Sequence, residues 1–457
     1  MRMERLGRGG TVDRVLGALA ERARILAIPA PAALSGEWFG AAAVLVPSVS
    51  VESVPPAEVF SPPPADAPGP GGADRRFQRS DDRPLIGGGR IGYLAYPDRI
   101  PDRPALPLAA SGWTDTVLRL DADGCWWYET LGTAPCPDDL AAAVLDSPST
   151  AAPPTNATES TNATESTNAT DWHIDWTPPP RDEHRRGVDH CLDAIRAGEV
   201  YQACVCTRFT GRWDGDPLAF FADGISRTDP PRAAYLQGSW GAVASLSPEL
   251  FVSLHGDTLR SSPIKGTLPL SADPAGLRAS VKDVAENVMI VDLVRNDLGR
   301  VAETGSVRVE DLLTVRPAPG VWHLVSTVAA ERRPGVTVAD VLDAAFPPAS
   351  VTGCPKLRAR TLLTRWEGSA RGVYCGTVGM SSPIAGTELN VAIRTVEFGH
   401  DDSGNGVCAL GVGGGITIDS DPDAEWQECL DKAASILALG DARAAVQHTS
   451  SGGDGNS

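Results

Sequence analysis

Residues 155–171 read TNATES-TNATES-TNATD, a short repeat flanked by Pro153-Pro154 and by Pro178-Pro179-Pro180. A segment with almost no apolar residues cannot offset the entropy of ordering its backbone, so no core can run through it. It reads as a disordered linker over 151–183, dividing the chain into a front region, 1–150, and a denser region, 184–442, with 443–457 as a disordered tail. Asn156, Asn162 and Asn168 each begin an Asn-Ala-Thr triplet, which accepts a glycan only in a secreted protein. The basic start Met1-Arg2-Met3-Glu4-Arg5 is followed by Asp13, Arg14, Glu21, Arg22 and Arg24, which interrupt any apolar signal core. The triplets therefore read as plain linker residues.

The front region is rich in Ala, Gly and Pro, with strand-like pieces at Ala43–Pro47 and Ile91–Tyr96 and a Pro-rich loop from Pro62 to Gly72. In the denser region Val200–Phe209 and Glu249–Leu254 read as strands, and Asp283–Leu298 and Asp421–Leu439 as amphipathic helices. Strands run in groups instead of alternating strictly with helices, which predicts an α+β fold over a doubly wound parallel sheet. A net charge of -18 and a pI near 4.8 disfavour broad contact with nucleic acid or an anionic membrane. No run approaches the roughly 18 apolar residues of a membrane helix. The nine cysteines include no CxxC pair, so reduced thiols, a cytoplasmic location and no zinc site are expected.

Chemistry concentrates in the denser region. On the helix from Asp283, the apolar residues Val284, Val288, Met289, Val291 and Leu293 are expected to face the core, with Asp283 and Glu286 three apart on an adjoining face. The helix near the end repeats the device: Asp421 as N-cap, Pro422 at the first position, then Glu425, Glu428 and Lys432. Such carboxylate pairs have the hard-oxygen character Mg²⁺ prefers, and they equally describe solvated helix faces. Gly411-Val412-Gly413-Gly414-Gly415 reads as strand, turn, strand, either an anion cradle or a bulged hairpin. Glu249, among apolar neighbours in Ser-Pro-Glu-Leu-Phe, suits a general acid if desolvated. Lys265, between Pro263-Ile264 and Gly266, becomes a nucleophile if buried; by its own sequence context it reads as a surface lysine.

Several ordered blocks from about Asp189 to Ala438 resemble the chorismate-utilising enzymes. They include Gly198–Gln202, Ser247–Phe251, Pro263–Thr267, Glu286–Asp297, His323–Ser326, Val351–Lys356, Asn390–Thr395 and Glu425–Ala433. Before the linker, Gly88–Tyr96 is similar to the family's Gly-Gly-x-x-Gly-Tyr element, so the front region is expected to resemble the N-terminal part of an anthranilate synthase component I. The resemblance implies a large fold of two mostly antiparallel sheets flanked by helices. Members carrying Lys at 265 and Gln at 202 aminate chorismate at C4, as aminodeoxychorismate synthases do. Anthranilate synthases usually carry Ala at 265, and members that add water usually carry Lys at 202.

By that resemblance Lys265 attacks the substrate, Glu249 is the acid, and His323 and Thr352 lie by the ring. Tyr374, Arg394, Gln202, Lys432 and the amides of Gly413, Gly414 and Gly415 bind substrate. Glu286 and Glu428, with Asp283 and Glu425, hold Mg²⁺, and Lys356 lies close by. Cys204, Cys206 and Cys354 depart from the usual pattern, and packing is the expected role of the first two. No stretch resembles a glutaminase nucleophile turn, so a separate glutamine amidotransferase subunit is the expected source of ammonia.

Overall fold

The computed structural model describes residues 1–61, 85–99, 104–147, 172–318 and 321–450, with 441–450 as backbone only. The Pro62–Gly72 loop and the repeat with its three Asn-Ala-Thr triplets lie outside the described residues. Trp172–Thr177, placed by composition at the end of the linker, forms a strand, and a helix starts at Arg181. Trp172 and Ile174 alternate inward on that strand and enter the core, a period-two signal too short to stand out beside the proline run. The last helix runs from Pro422 to Ser450, into the stretch expected to be a tail.

Two sheets, one of twelve strands and one of ten among the described residues, form the architecture, and helices flank them. Both sheets mix strands from either side of the repeat. In the first, Ala32–Trp38 lies antiparallel to Arg232–Gly238, with Ala33 opposite Tyr235. In the second, Gly89–Leu94 lies antiparallel to Thr377–Ser382, with Gly92 opposite Gly379. The first sheet also contains the long strand Gln202–Gly215 and the glycine strand Gly406–Ile416, paired from Ala203↔Ile416 to Arg212↔Val407. Five fully buried large side chains, Trp38, Trp126, Tyr93, Tyr235 and Phe398, come from both regions. The α+β expectation therefore holds, with the front region built into the same sheets. No helix among the described residues is long and apolar enough to cross a membrane.

Helix ends follow their capping residues. Asp421 accepts from the N–H groups of Asp423 and Ala424 at 3.0 and 2.9 Å, as its N-cap reading requires. Ser280 caps Val281–Gly299 through the Asp283 N–H. That helix lies on a different face from the one its apolar residues suggest. Glu286, Asn287, Ile290, Val291, Val294, Asp297 and Leu298 are buried, Val288 is 46% exposed, and Val284, Met289 and Leu293 are half-buried. Asn287 explains the rotation: its amide donates to the Leu324 carbonyl at 3.2 Å and its oxygen accepts from Ser326 at 2.5 Å, pinning a polar residue against the strand Val321–Glu331.

A buried ion pair joins the two sheets. Arg119 Nε donates to Glu129 Oε1 at 2.6 Å, and Glu129 Oε2 accepts from the N–H groups of Ile86 and Gly87 at 2.7 and 3.1 Å, just ahead of Gly89–Leu94. Removing one partner strands a buried charge. Arg119→Met is expected to lower stability in denaturant unfolding by about 3–5 kcal/mol.

Candidate active site

The glycine tract is one continuous strand, not the turn its composition suggests. Its glycines make room for the helices and side chains packed on it. A Cβ at Gly411 would enter the Tyr374 ring, and one at Gly413 would meet Cys206 Sγ at 2.6 Å. A Cβ at Gly414 would stand 2.9 Å from Glu425 Oε2, and one at Gly415 3.0 Å from Glu286 Oε2 and 3.3 Å from Lys265 Nζ. Glu286 comes from the helix Val281–Gly299 and Glu425 and Glu428 from the last helix, so the bare strand is what lets carboxylates from two helices approach one another. Past Leu410 the strand's other edge carries no strand among the described residues.

Lysines stand between these carboxylates. Lys282 Nζ lies 2.8 Å from Glu425 Oε1 and 4.0 Å from Glu286 Oε1, Lys265 Nζ lies 3.9 Å from Glu286 Oε2, and Lys432 Nζ lies 2.7 Å from Glu428 Oε1. Lys432 also donates to the Gly413 carbonyl at 2.8 Å. Burial pushes the Glu286 carboxyl above the usual range although Lys265 and Lys282 oppose it. Burial acts the same way on Glu428, but the adjacent Lys432 ammonium, with Lys282 and Lys265, outweighs it and holds the carboxyl low.

Lys265 is not a surface lysine: its side chain is 14% exposed. Gly266, at φ 87, lets the strand Ile264–Pro269 turn past Asp283, whose side chain a Cβ there would crowd at 3.1 Å. Glu249 is buried behind this strand, where its carboxyl accepts from the N–H of Ile264 and from the Ser350 hydroxyl. Burial pushes it up to about 7, against the pull of Ser350 and Lys265.

His323 is buried, its Nδ1 2.9 Å from the Thr267 hydroxyl and its Nε2 without a partner. Burial, reinforced by Arg394, pushes its pKa down to about 4, so the ring is neutral at pH 7. If Nδ1 accepts from Thr267, Nε2 carries the proton and offers it as a hydrogen bond. His323 and Arg394 line one small cavity with Pro248 and Leu246. Arg394 has a left-handed backbone, φ 49, and burial lowers its pKa while the Glu249 carboxyl supports the charge. Tyr374 packs on Gly411, with its hydroxyl 3.9 Å from Cys206 Sγ. The Gln202 side-chain oxygen is buried and unpartnered. Gln202 pairs with Cys354, beside Thr352, whose hydroxyl is occupied by the Pro348 carbonyl at 2.8 Å. Cys204 and Cys206 are packed in the core, their sulfurs 3.9 Å apart.

Asp283 lies against Gly266, the residue after Lys265. One expected neighbour stands elsewhere: Lys356 is held by Asp297 at 2.6 Å and by the Ala345 carbonyl at 2.7 Å, because a buried carboxylate takes its ammonium. Lys282 and Ser350 were not anticipated; Lys282 stands four residues before Glu286, a spacing that places the two on one helix face. Among the described residues no three His, Cys, Asp or Glu side chains close on one point as a metal cage. The donor set nonetheless suits a hard cation that keeps water and substrate oxygens as ligands: Glu286 Oε1 and Glu425 Oε2 are buried without hydrogen-bond partners, and Glu428 stands beside them.

The family model for chorismate binding enzymes matches residues 74–438, which include this buried acid, the buried lysine and the clustered glutamates. The chain belongs to that family. It is 41% identical over 264 residues to aminodeoxychorismate synthase component 1 of Klebsiella aerogenes, covering 56% of this chain and 57% of the relative. It is 39% identical over 274 residues to the component 1 of Escherichia coli strain K12, covering 58% and 59%. The match thus spans less than two thirds of either relative's length. The fold is similar to that of anthranilate synthase component I from Streptococcus pneumoniae, with a TM-score of 0.64 at 23% identity over 89% of this chain and 90% of that one.

Gly415→Ala tests the need for a bare strand. The new methyl meets only the ends of two flexible side chains, so the melting temperature is expected to stay within a few degrees, an effect of about 1 kcal/mol or less. Turnover, which depends on where Glu286 and Lys265 sit, is expected to fall at least about tenfold.

Proposed function

We propose that the chain aminates chorismate to 4-amino-4-deoxychorismate, the precursor of 4-aminobenzoate and folate, with ammonia supplied by a separate glutamine amidotransferase subunit. The observation that carries this reading is the pairing of a buried carboxyl, poised near pH 7, with the strand that presents Lys265. The names of both component 1 relatives support the substrate and the existence of a second component.

Replacing the C4 hydroxyl by an amine with retained configuration takes two successive displacements through the conjugated ring. The Lys265 amine attacks C2, the double bonds shift, and the C4–oxygen bond breaks as Glu249 gives its proton to the leaving hydroxyl, releasing water. Ammonia then attacks C4, the double bonds shift back, and the C2–nitrogen bond breaks to release Lys265. The Glu249 carboxylate recovers a proton from the new ammonium nitrogen, so the acid is ready for the next cycle. Arg394 offers a fork to a substrate carboxylate, and neutral His323 presents its Nε2 hydrogen to a substrate oxygen. Gln202, with a neutral side chain, suits ammonia, which needs no base to become a nucleophile. A magnesium ion held by Glu286 and Glu428, with Glu425 in support, would supply positive charge beside the ring carboxylate.

Lys265→Ala, assayed with chorismate, Mg²⁺ and ammonium, is expected to lose at least about a hundredfold in 4-amino-4-deoxychorismate formation; an unchanged rate refutes covalent catalysis, and anthranilate from the unaltered protein refutes the reading. Glu249 must be protonated to act, so at fixed free ammonia kcat is expected to hold below pH about 7 and to fall with the protonated fraction above it. Glu249→Gln should abolish that limb. Titration calorimetry is expected to detect Mg²⁺ binding to the unaltered protein and none to Glu286→Gln, and chelation should stop turnover until Mg²⁺ is restored.

A further inference from the structure

The long strand Gln202–Gly215 has an incomplete edge. One side pairs with the glycine strand from Ala203 to Arg212. On the other, Gly353–Cys354 covers only Gln202 and Ala203, and Trp172–Thr177 covers only Thr210 to Gly215. Between these partners, Cys204 to Phe209 faces no strand among the described residues. Buried backbone polar groups there need other partners, because an unpaired one costs about as much as a lost hydrogen bond.

Two side chains supply them. Arg371 Nη2 donates to the Cys204 carbonyl at 2.6 Å, and Glu367 Oε1 accepts from the Cys206 N–H at 3.0 Å. The two are themselves joined, Nη2 to Oε1 at 2.6 Å and Nε to Oε2 at 2.9 Å. The remaining arm of the guanidinium, Nη1, donates to the Val351 carbonyl at 2.7 Å. Next along the chain, the Thr352 carbonyl accepts from the Cys204 N–H at 2.9 Å. Arg371 is 3% and Glu367 8% exposed, and the guanidinium carbon sits 4.4 Å from the centre of the Tyr96 ring.

We propose that Arg371, with Glu367, is a positioning residue for the site: the pair takes the place of a missing strand and sets the spacing between Cys204 and the Ser350-Val351-Thr352 turn. The reach of this spacing is direct. Gln202 lies two residues before Cys204, Ser350 hydrogen-bonds the Glu249 acid, and Tyr374 lies three residues beyond Arg371. A continuous strand in this gap would hold the edge equally well. It would also displace the segment from Glu367 to Arg371 that lets Tyr374 fold back over Gly411.

Lysine cannot serve here, since one ammonium does not reach two carbonyls and both oxygens of Glu367 in a planar fork. The test compares Arg371→Lys and Glu367→Gln with the unaltered protein in two ways: amide hydrogen exchange, and turnover of chorismate at saturating ammonium and Mg²⁺. Both variants are expected to exchange faster at residues 203–208 and 349–354 while the rest of the protein keeps its protection. Their kcat is expected to fall about tenfold to a hundredfold, with the KM for chorismate within about threefold, because the groups that hold its carboxylates remain. Unchanged exchange over 203–208 in both variants overturns the proposal. So does kcat within about twofold of the unaltered protein in a folded variant, or a loss of activity matched only by the fraction unfolded. The turnover arm rests on the chorismate-aminating reading. An unaltered protein that consumes no chorismate defeats that reading alone, and the exchange arm still decides the role of Arg371.

Discussion

Charge neutralisation inside a low-dielectric space governs this molecule. Glu286, Glu425 and Glu428 lean toward one another over a strand with no side chains, and Lys265, Lys282 and Lys432 divide their charge. Carboxylates buried without cations would take up protons or force the helices apart. Cations placed among them oppose the burial, outweighing it at Glu428, and leave the Glu286 Oε1 and Glu425 Oε2 atoms without hydrogen-bond partners. The glycine tract is the geometric condition for all of this, since a methyl group at Gly414 or Gly415 would touch the carboxylates themselves.

Much of the architecture was legible because it obeys local rules. The Asp421 cap, the strand around Val205 and the helix read from Asp283 follow capping and periodicity and stand within a few residues of where those rules put them. The rules misled where polar groups replaced apolar ones on a buried face. Asn287 is fixed by the Leu324 carbonyl and the Ser326 hydroxyl, which no amphipathic pattern encodes, and it turns Val288 toward solvent. The glycine tract misled for a related reason. Glycine in sequence signals a turn, whereas here it marks the close approach of side chains from distant segments.

Site residues divide in the same way. Glu249 announced its desolvation through its apolar neighbours, and the structure buries it. Lys265 carried no local sign of burial; its setting comes from Glu286, on the helix packed beside it, and from the glycine strand above. Lys356 was expected close to the glutamates and stands apart from them, because Asp297 takes its ammonium, whereas Lys432 reaches Glu428. Arg371 was invisible in sequence, since its meaning depends on a gap between two strands that lie far apart along the chain.

The interleaving of early and late strands bears on how the molecule is made. Ala33 finds its neighbour at Tyr235, and Gly92 finds its neighbour at Gly379, so neither sheet closes until most of the chain has left the ribosome. Contacts of such separation carry a large closure entropy and fold slowly. Until then the nascent front segment exposes open sheet edges, which are sticky toward other chains. Synthesis of this protein is therefore a wait with unsatisfied edges, and folding helpers that shield them during translation would matter more here than for a chain whose domains close one after another.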